Sequence, residues 1–472
     1  MAWLGLYRIR QQDFPAPGCS QRRPSFLGGK QLLVSLALLH SAAACGNSNS
    51  GLRRFDGGDL APVGGAVDGP TSSTGGSPGF PDLGTPACMS NDDCMSPMVC
   101  NINTDGACGP ASYTQIDVSG TTTCAVVSDG SLFCWGGNPL GEMGPTTTGN
   151  HLVPFRIPYQ QKVRTVATGY GFTCVLLLTG QVDCWGQNGN GALGCANPQA
   201  SSMGPLCTPY PPGSAISQLV AGAERACVGM SKGIVQCWGR NDHYDLGDGT
   251  NVSKYAPVTV LGIETAIAIA SGVWQACAVL EGGSAKCWGA NNRAELGNGT
   301  TAATPSATFV SGLDGKTDKV MAVSAAEDHS CLVLEDGSIR CFGENLYGEL
   351  GDGKTVMSLV PVVAQFPKGA TDVATGIQFT CALFGSSTMQ CLGKGGAGQL
   401  GNGAFAQSPS PVVVNLPEGT FVKALAAKFN HICVLGSEGR LWCWGDNSSG
   451  QLGTGTNKNA SRPFEVPMPG VH

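Results

Sequence analysis

The chain has 472 residues, with 70 glycines, 22 cysteines, only 13% charged residues and a formal net charge of −6. Globular proteins average about 7% glycine and about 25% charge, so this composition points to turns and strands, and no basic tract is present to hold nucleic acid. The cysteines show neither CxxC nor HxxxH spacing, which excludes the usual zinc sites and favours disulfides in an oxidising compartment.

Near the N-terminus Lys30 precedes an apolar run from Leu32 to Leu39, followed by Ser41-Ala42-Ala43-Ala44-Cys45. A basic residue, a short apolar run and small residues before a cut mark a signal peptide over residues 1–45, and the run is too short to span a bilayer. Cys45 after the small residues resembles a bacterial lipobox, with Ala42 where leucine is usual. The expectation is lipidation at Cys45, with plain cleavage after Ala44 as the alternative. Either places the chain in a bacterial cell envelope or outside the cell. Residues 46–86 are rich in Gly, Pro, Ser and Thr and poor in large apolar side chains, so they read as a flexible tether. Residues 87–110 hold Cys88, Cys94, Cys100 and Cys108, a small cysteine-rich module whose pairing stays open.

From residue 111 onward one unit recurs seven times. Its cysteine pairs are Cys124 and Cys134, Cys174 and Cys184, Cys227 and Cys237, Cys277 and Cys287, Cys331 and Cys341, Cys381 and Cys391, and Cys433 and Cys443. The units lie about 50 residues apart, a period that points to propeller blades. The second cysteine always follows the first by ten residues. Such a pair can face each other across a three-residue hairpin loop ending in a glycine of positive φ. That glycine is Gly130, Gly180, Gly233, Gly283, Gly337 or Gly439, and only Ser387 departs from it. Opposed residues of antiparallel strands lie about 4.5 Å apart at Cα, near the short end of disulfide geometry. One cross-strand disulfide per blade is therefore expected, worth about 2–3 kcal/mol. Cys195 and Cys207 bracket an insertion in the second unit and suggest a stapled loop.

The unit Gly-x-x-x-x-Cys-x-x-x-x-x-Gly-x-x-x-Cys-Trp-Gly-x-Asn-x-x-Gly-x-Leu-Gly, seen clearly in Cys433, Gly439, Cys443-Trp444-Gly445-Asp446-Asn447 and Gly450-Gln451-Leu452-Gly453, resembles the repeat of the regulator of chromosome condensation, RCC1. The resemblance implies an all-β, seven-bladed propeller of four-stranded blades over residues 111–472. The doubled cysteine is similar to that of exported bacterial members, among them a secreted β-lactamase inhibitory propeller that binds a protein on one face.

The recurring Cys-Trp-Gly residues read as blade packing, and Asn138, Asn188, Asn241, Asn291, Asn345 and Asn447 as turn supports. His329 and His431 occupy a repeat-histidine position with no catalytic partners at set spacing. The loop before each hairpin varies instead: Tyr170, Glu224, Trp274, Glu327, Asp328, Gln378, Phe429 and Asn430 would cluster on one face of the ring, and Tyr and Trp are favoured interface anchors. The functional expectation is a monomeric envelope or secreted binding module for a protein or glycan, with no catalytic site, metal, cofactor or nucleic-acid partner and no membrane contact beyond a lipid at Cys45. Two alternatives stand: a carbohydrate-active or other enzyme with convergent carboxylates in the central funnel, and, by family name alone, guanine nucleotide exchange.

Overall fold

The computed structural model describes residues 98–101, 107–144, 149–196 and 207–468. The signal segment with Cys45, the tether, Cys88, Cys94 and most of the stapled insertion lie outside the described residues. Among the described residues every regular element is a strand. Met98–Asn101 and Ala107–Pro110 form a hairpin whose backbone register sets position 100 opposite position 108.

Seven four-stranded antiparallel sheets follow. Blade 1 consists of Tyr113–Val118, Thr122–Val127, Leu132–Gly136 and His151–Arg156. Blades 2 to 7 repeat this plan over 163–210, 216–259, 266–309, 320–363, 370–413 and 422–466. First strands of consecutive blades touch one another around the whole ring, so they line the axis and the fourth strands form the rim. Seven separate apolar layers fill the seven gaps between neighbours, the gap between blade 7 and blade 1 included. No strand is exchanged at that seam: each sheet is built from one contiguous segment. Closure rests on packing and on bonds such as Tyr113 N–H to Gly439 O at 2.9 Å and Tyr113 Oη to Pro467 O at 3.0 Å.

Strand alternation explains the Cys-Trp dipeptide. The cystine of blade 1 faces the layer toward blade 2, while Trp135 faces the layer toward blade 7. Each indole N–H that reaches across bonds the preceding blade: Trp135 to Gln451 O at 3.0 Å, Trp185 to Glu142 O at 2.9 Å, Trp238 to Ala192 O at 2.9 Å and Trp444 to Gln399 O at 3.0 Å. The glycine after it has positive φ, +103° at Gly136 for example, and a Cβ there would collide with the carbonyl of Thr121. The seven repeat pairs are disulfide-bonded, with Cα atoms 4.0–4.1 Å apart, and Cys195–Cys207 forms an eighth bridge. Gly130 sits at φ +79° at the expected end of its three-residue loop. Blade 6, which has Ser387 there, moves the positive φ to the start of the loop, at Gly385 (+60°).

Every rim strand contains a proline, from Pro154 in blade 1 to Pro463 in blade 7, which blunts the outer edges against further pairing.

Candidate functional site at the channel mouth

The loop joining the first and second strands of each blade reaches the axis at one end of the ring. Its inward position is Gly120, Tyr170, Ala223, Val273, Glu327, Ile377 and Phe429 in blades 1 to 7. Ala223, Val273, Ile377 and Phe429 form an apolar cluster, with Tyr170 and Trp274 packed against it. Backbone bonds tie these loops blade to blade: Tyr170 N–H to Ala223 O at 2.6 Å, Val273 N–H to Ala326 O at 3.2 Å and Ile377 N–H to Phe429 O at 2.6 Å. The loops between third and fourth strands, with the Cys195–Cys207 staple, end at this same face.

The eight loop residues singled out from the sequence thus share one face, but they are not equally open. Tyr170, Glu224, Trp274, Gln378 and Asn430 are half-buried, whereas Glu327, Asp328 and Phe429 are buried. Phe429, an expected exposed anchor, is only 7% exposed and packs inward. The Trp274 indole is held from two sides, with Arg240 over its face at 4.2 Å and His243 edge-on at 5.1 Å. Arg240 is itself fixed by Asp242 at 2.7 Å and Glu224 at 3.5 Å. Gln378 accepts from Lys394 Nζ at 3.2 Å, and Asn430 Oδ1 accepts from Gln399 Nε2 at 3.3 Å.

Sequence reasoning missed a second layer beneath this face. The residue before each Leu-Gly or Met-Gly pair is Glu142, Ala192, Asp245, Glu295, Glu349, Gln399 or Gln451. Except at Ala192, its side chain caps its own turn: Glu295 Oε2 accepts from Arg293 N–H at 2.8 Å and Glu349 Oε2 from Tyr347 N–H at 2.7 Å. The other oxygen, Oε1, finds no donor in either. Burial pushes both carboxyls up to about 7, helped by the charges of Asp328 on both and Glu344 on Glu349. The signal was present as an acid-or-amide pattern in register, but only spacing to the following blade shows what it faces.

The remaining motifs are structural. Asn241 Oδ1 accepts from Leu246 N–H at 2.9 Å, as Asn447 does from Leu452 N–H at 2.9 Å, so the asparagines hold turns. Asp248 accepts from Thr250 N–H and from Asn241 Nδ2, both at 3.0 Å. His329 Nε2 meets Thr380 Oγ1 at 2.9 Å and His431 Nε2 meets Thr123 Oγ1 at 3.1 Å. Each threonine hydroxyl donates to a carbonyl of the preceding blade's turn, so each histidine donates from Nε2. Burial pushes both imidazoles down to about 3, which keeps them neutral. Arg225, at the same repeat position, joins Asp245 at 3.2 Å and Val273 O at 2.9 Å.

Two profiles, each described as the regulator of chromosome condensation (RCC1) repeat, match the chain. One covers residues 113–142, 163–192, 322–349 and 422–451, the other 129–176, 232–279, 283–333, 336–383 and 438–472, together more than half of the chain. The chain belongs to the RCC1 repeat family. The ultraviolet-B receptor UVR8 of Arabidopsis thaliana is 28% identical over 270 residues, 56% of this chain and 50% of the receptor, so the match spans half the length of that relative. Human WBSCR16 superposes with a TM-score of 0.64 at 22% identity, over 72% of this chain and 94% of that one. Yeast RCC1 (Prp20), solved bound to Kap60, superposes with a TM-score of 0.62 at 19% identity, over 76% and 85%. The solved structures establish the fold, a seven-bladed RCC1-type propeller. Propellers of this family are protein-interaction modules in general.

Proposed function

We propose that this RCC1-type propeller is an exported binding module that holds a partner protein on its channel-mouth face, tethered through residues 46–86 and a lipid on Cys45. One observation carries the binding reading: the half-buried Trp274 indole is locked at the mouth between Arg240 and His243. A rigid aromatic of this kind loses little entropy on binding and serves as an interface anchor. Arg240 already covers one face of the ring, which favours a protein partner over a sugar stacked on that face.

Export is supported by the chemistry of the blades. Fourteen buried cysteines, paired within each hairpin, form packing layers of the ring, and such bridges persist in oxidising compartments.

The enzyme reading has one point in its favour: Glu295 and Glu349 carry pKa values suited to general acids near neutrality,. Both side chains are closed over by protein, at 1% and 0% exposure, so binding is the better-supported reading.

A photo-crosslinking side chain in place of Glu224 at the mouth, and in place of Glu438 on the opposite face as control, tests the assignment in cells that make the protein. A discrete adduct from position 224 alone is the expected result. Adducts from position 438 alone, or equal labelling from both, would overturn it.

A further inference from the structure

Charge at the mouth is not evenly spread. Where blades 4 and 5 meet, Glu327, Asp328 and Glu344 surround one cation, Arg293, which pairs with Asp328. Glu344 N–H bonds Asp328 O at 2.8 Å, so the two acidic loops lie side by side. Glu295 lies beneath, with Oε1 unpartnered and the residue 1% exposed. The direction of that oxygen follows from the repeat. Gln399, at the same position in blade 6, sends its amide nitrogen to Asn430 of the next blade at 3.3 Å. Asn430 is the counterpart of Asp328, because each directly precedes the first residue of a second strand, His431 or His329. Glu295 therefore aims a bare carboxyl oxygen at an acidic loop where its counterpart aims a donor. Glu349, one blade on, also has a bare Oε1 and feels Asp328 and Glu344, although the loop of blade 6 at the matching position carries Gln378 in place of an acid. Neighbouring sectors differ: Arg240 pairs with Glu224, and Lys394 donates to the uncharged Gln378.

We propose that the partner is engaged through a basic segment, whose lysine or arginine side chains seat on the acidic sector between blades 4 and 5. The proposal rests on the reading of the mouth as the binding face. A buried acceptor without a donor is costly, and either a proton or a cation supplies what is missing. In the free protein the proton does so on Glu295. A cation arriving at Glu327, Asp328 and Glu344 lowers the cost of ionising Glu295 and Glu349, so protons leave as it binds; the linkage is reciprocal. Among the described residues no three acids, histidines or cysteines converge as a metal site, whereas long flexible ammonium and guanidinium side chains suit dispersed carboxylates.

Hexalysine is the probe, titrated calorimetrically into the full chain at low salt near pH 7 in two buffers of different ionisation enthalpy. The expected result is binding that weakens as salt screens it and releases protons to the buffer. Asp328→Asn with Glu344→Gln should weaken it about tenfold or more, and Glu344→Gln alone, at a half-buried site, by a smaller factor. Glu295→Gln should keep binding and release fewer protons. Failure of hexalysine to bind, or equal binding to the folded double variant, overturns the proposal. If adducts from position 224 persist in that case, the mouth remains the binding face and only the basic character of the partner is refuted.

Discussion

The seam that closes the ring can be tested through one buried ion pair. Lys428 of blade 7 places Nζ 3.0 Å from Asp117 Oδ2 of blade 1 and 2.8 Å from Thr168 O of blade 2. Both side chains are 1% exposed. Asp117 Oδ2 also accepts from Thr168 N–H at 2.6 Å and Oγ1 at 2.9 Å, while Oδ1 has no donor. The pair therefore joins three blades across the ends of the chain. Lys428→Ala removes the charge that balances Asp117, and breaking a buried pair by one partner costs about 3–5 kcal/mol. Other blades show what the fold accepts instead: Ala167, Ala270, Ala374 and Ala426 at the Asp117 position, and Gly169, Gly222, Gly272 and Gly376 at the Lys428 position. Asp117→Ala with Lys428→Ala should accordingly be less damaging than Lys428→Ala alone. Urea unfolding of the oxidised protein, with Asp117→Ala alone as the third variant and the slope unchanged among them, gives the three stability changes needed for the cycle. A Lys428→Ala cost below about 1 kcal/mol, the range of an exposed pair, would refute the buried seam.

Peptide mapping without reduction should find Cys124–Cys134 and its six equivalents linked in exported protein; free thiols there would sink the compartment argument. Stability should fall as pH rises from the ordinary glutamate value of 4.5 through about 7, because Glu295 and Glu349 are held protonated in the folded state and ionise earlier in the unfolded one. The loss is on the order of 3 kcal/mol for each at most; Glu295→Gln with Glu349→Gln should flatten that slope in denaturant midpoints measured at pH 5 and pH 8, and an unchanged slope would place the titration elsewhere. Cys45→Ala should release the protein from membranes or block its processing, whereas unchanged partitioning would mean simple cleavage.

Much of the fold was legible in the sequence because the repeat is punctuated by residues with strict backbone demands. The cysteine spacing and loop glycine set the hairpin register, as the pairing of Cys124 with Cys134 shows. Where the glycine was missing, at Ser387, the hairpin survived because Gly385 supplies the positive φ at the other end of the loop. The candidate face was legible as a set of variable loop positions, but not the depth of each member. Phe429 and Trp274 look alike as loop aromatics. Phe429 stands at the inward position and is a buried member of the axial cluster, and Trp274, one residue later in its own loop, packs against that cluster from a half-buried position. The pair Lys428 with Asp117 was invisible because its partners, from blades 7 and 1, meet only once the ring closes, and Arg225 with Asp245, both of blade 3, because a whole strand separates them in sequence.

That difference between two aromatics yields the most direct test of the mouth as a binding surface. Trp274→Ala and Phe429→Ala are prepared side by side, and affinity for the partner crosslinked at the mouth is measured with the denaturant midpoint on the same samples. The expected result is that Trp274→Ala lowers affinity by about 2 kcal/mol or more, as an anchor does, with a midpoint close to that of the parent protein. Phe429→Ala should instead lower the midpoint, by the equivalent of up to about 3–5 kcal/mol of stability for a packed ring. A Trp274→Ala protein that loses stability and keeps its affinity would contradict the assignment and make the mouth aromatics structural.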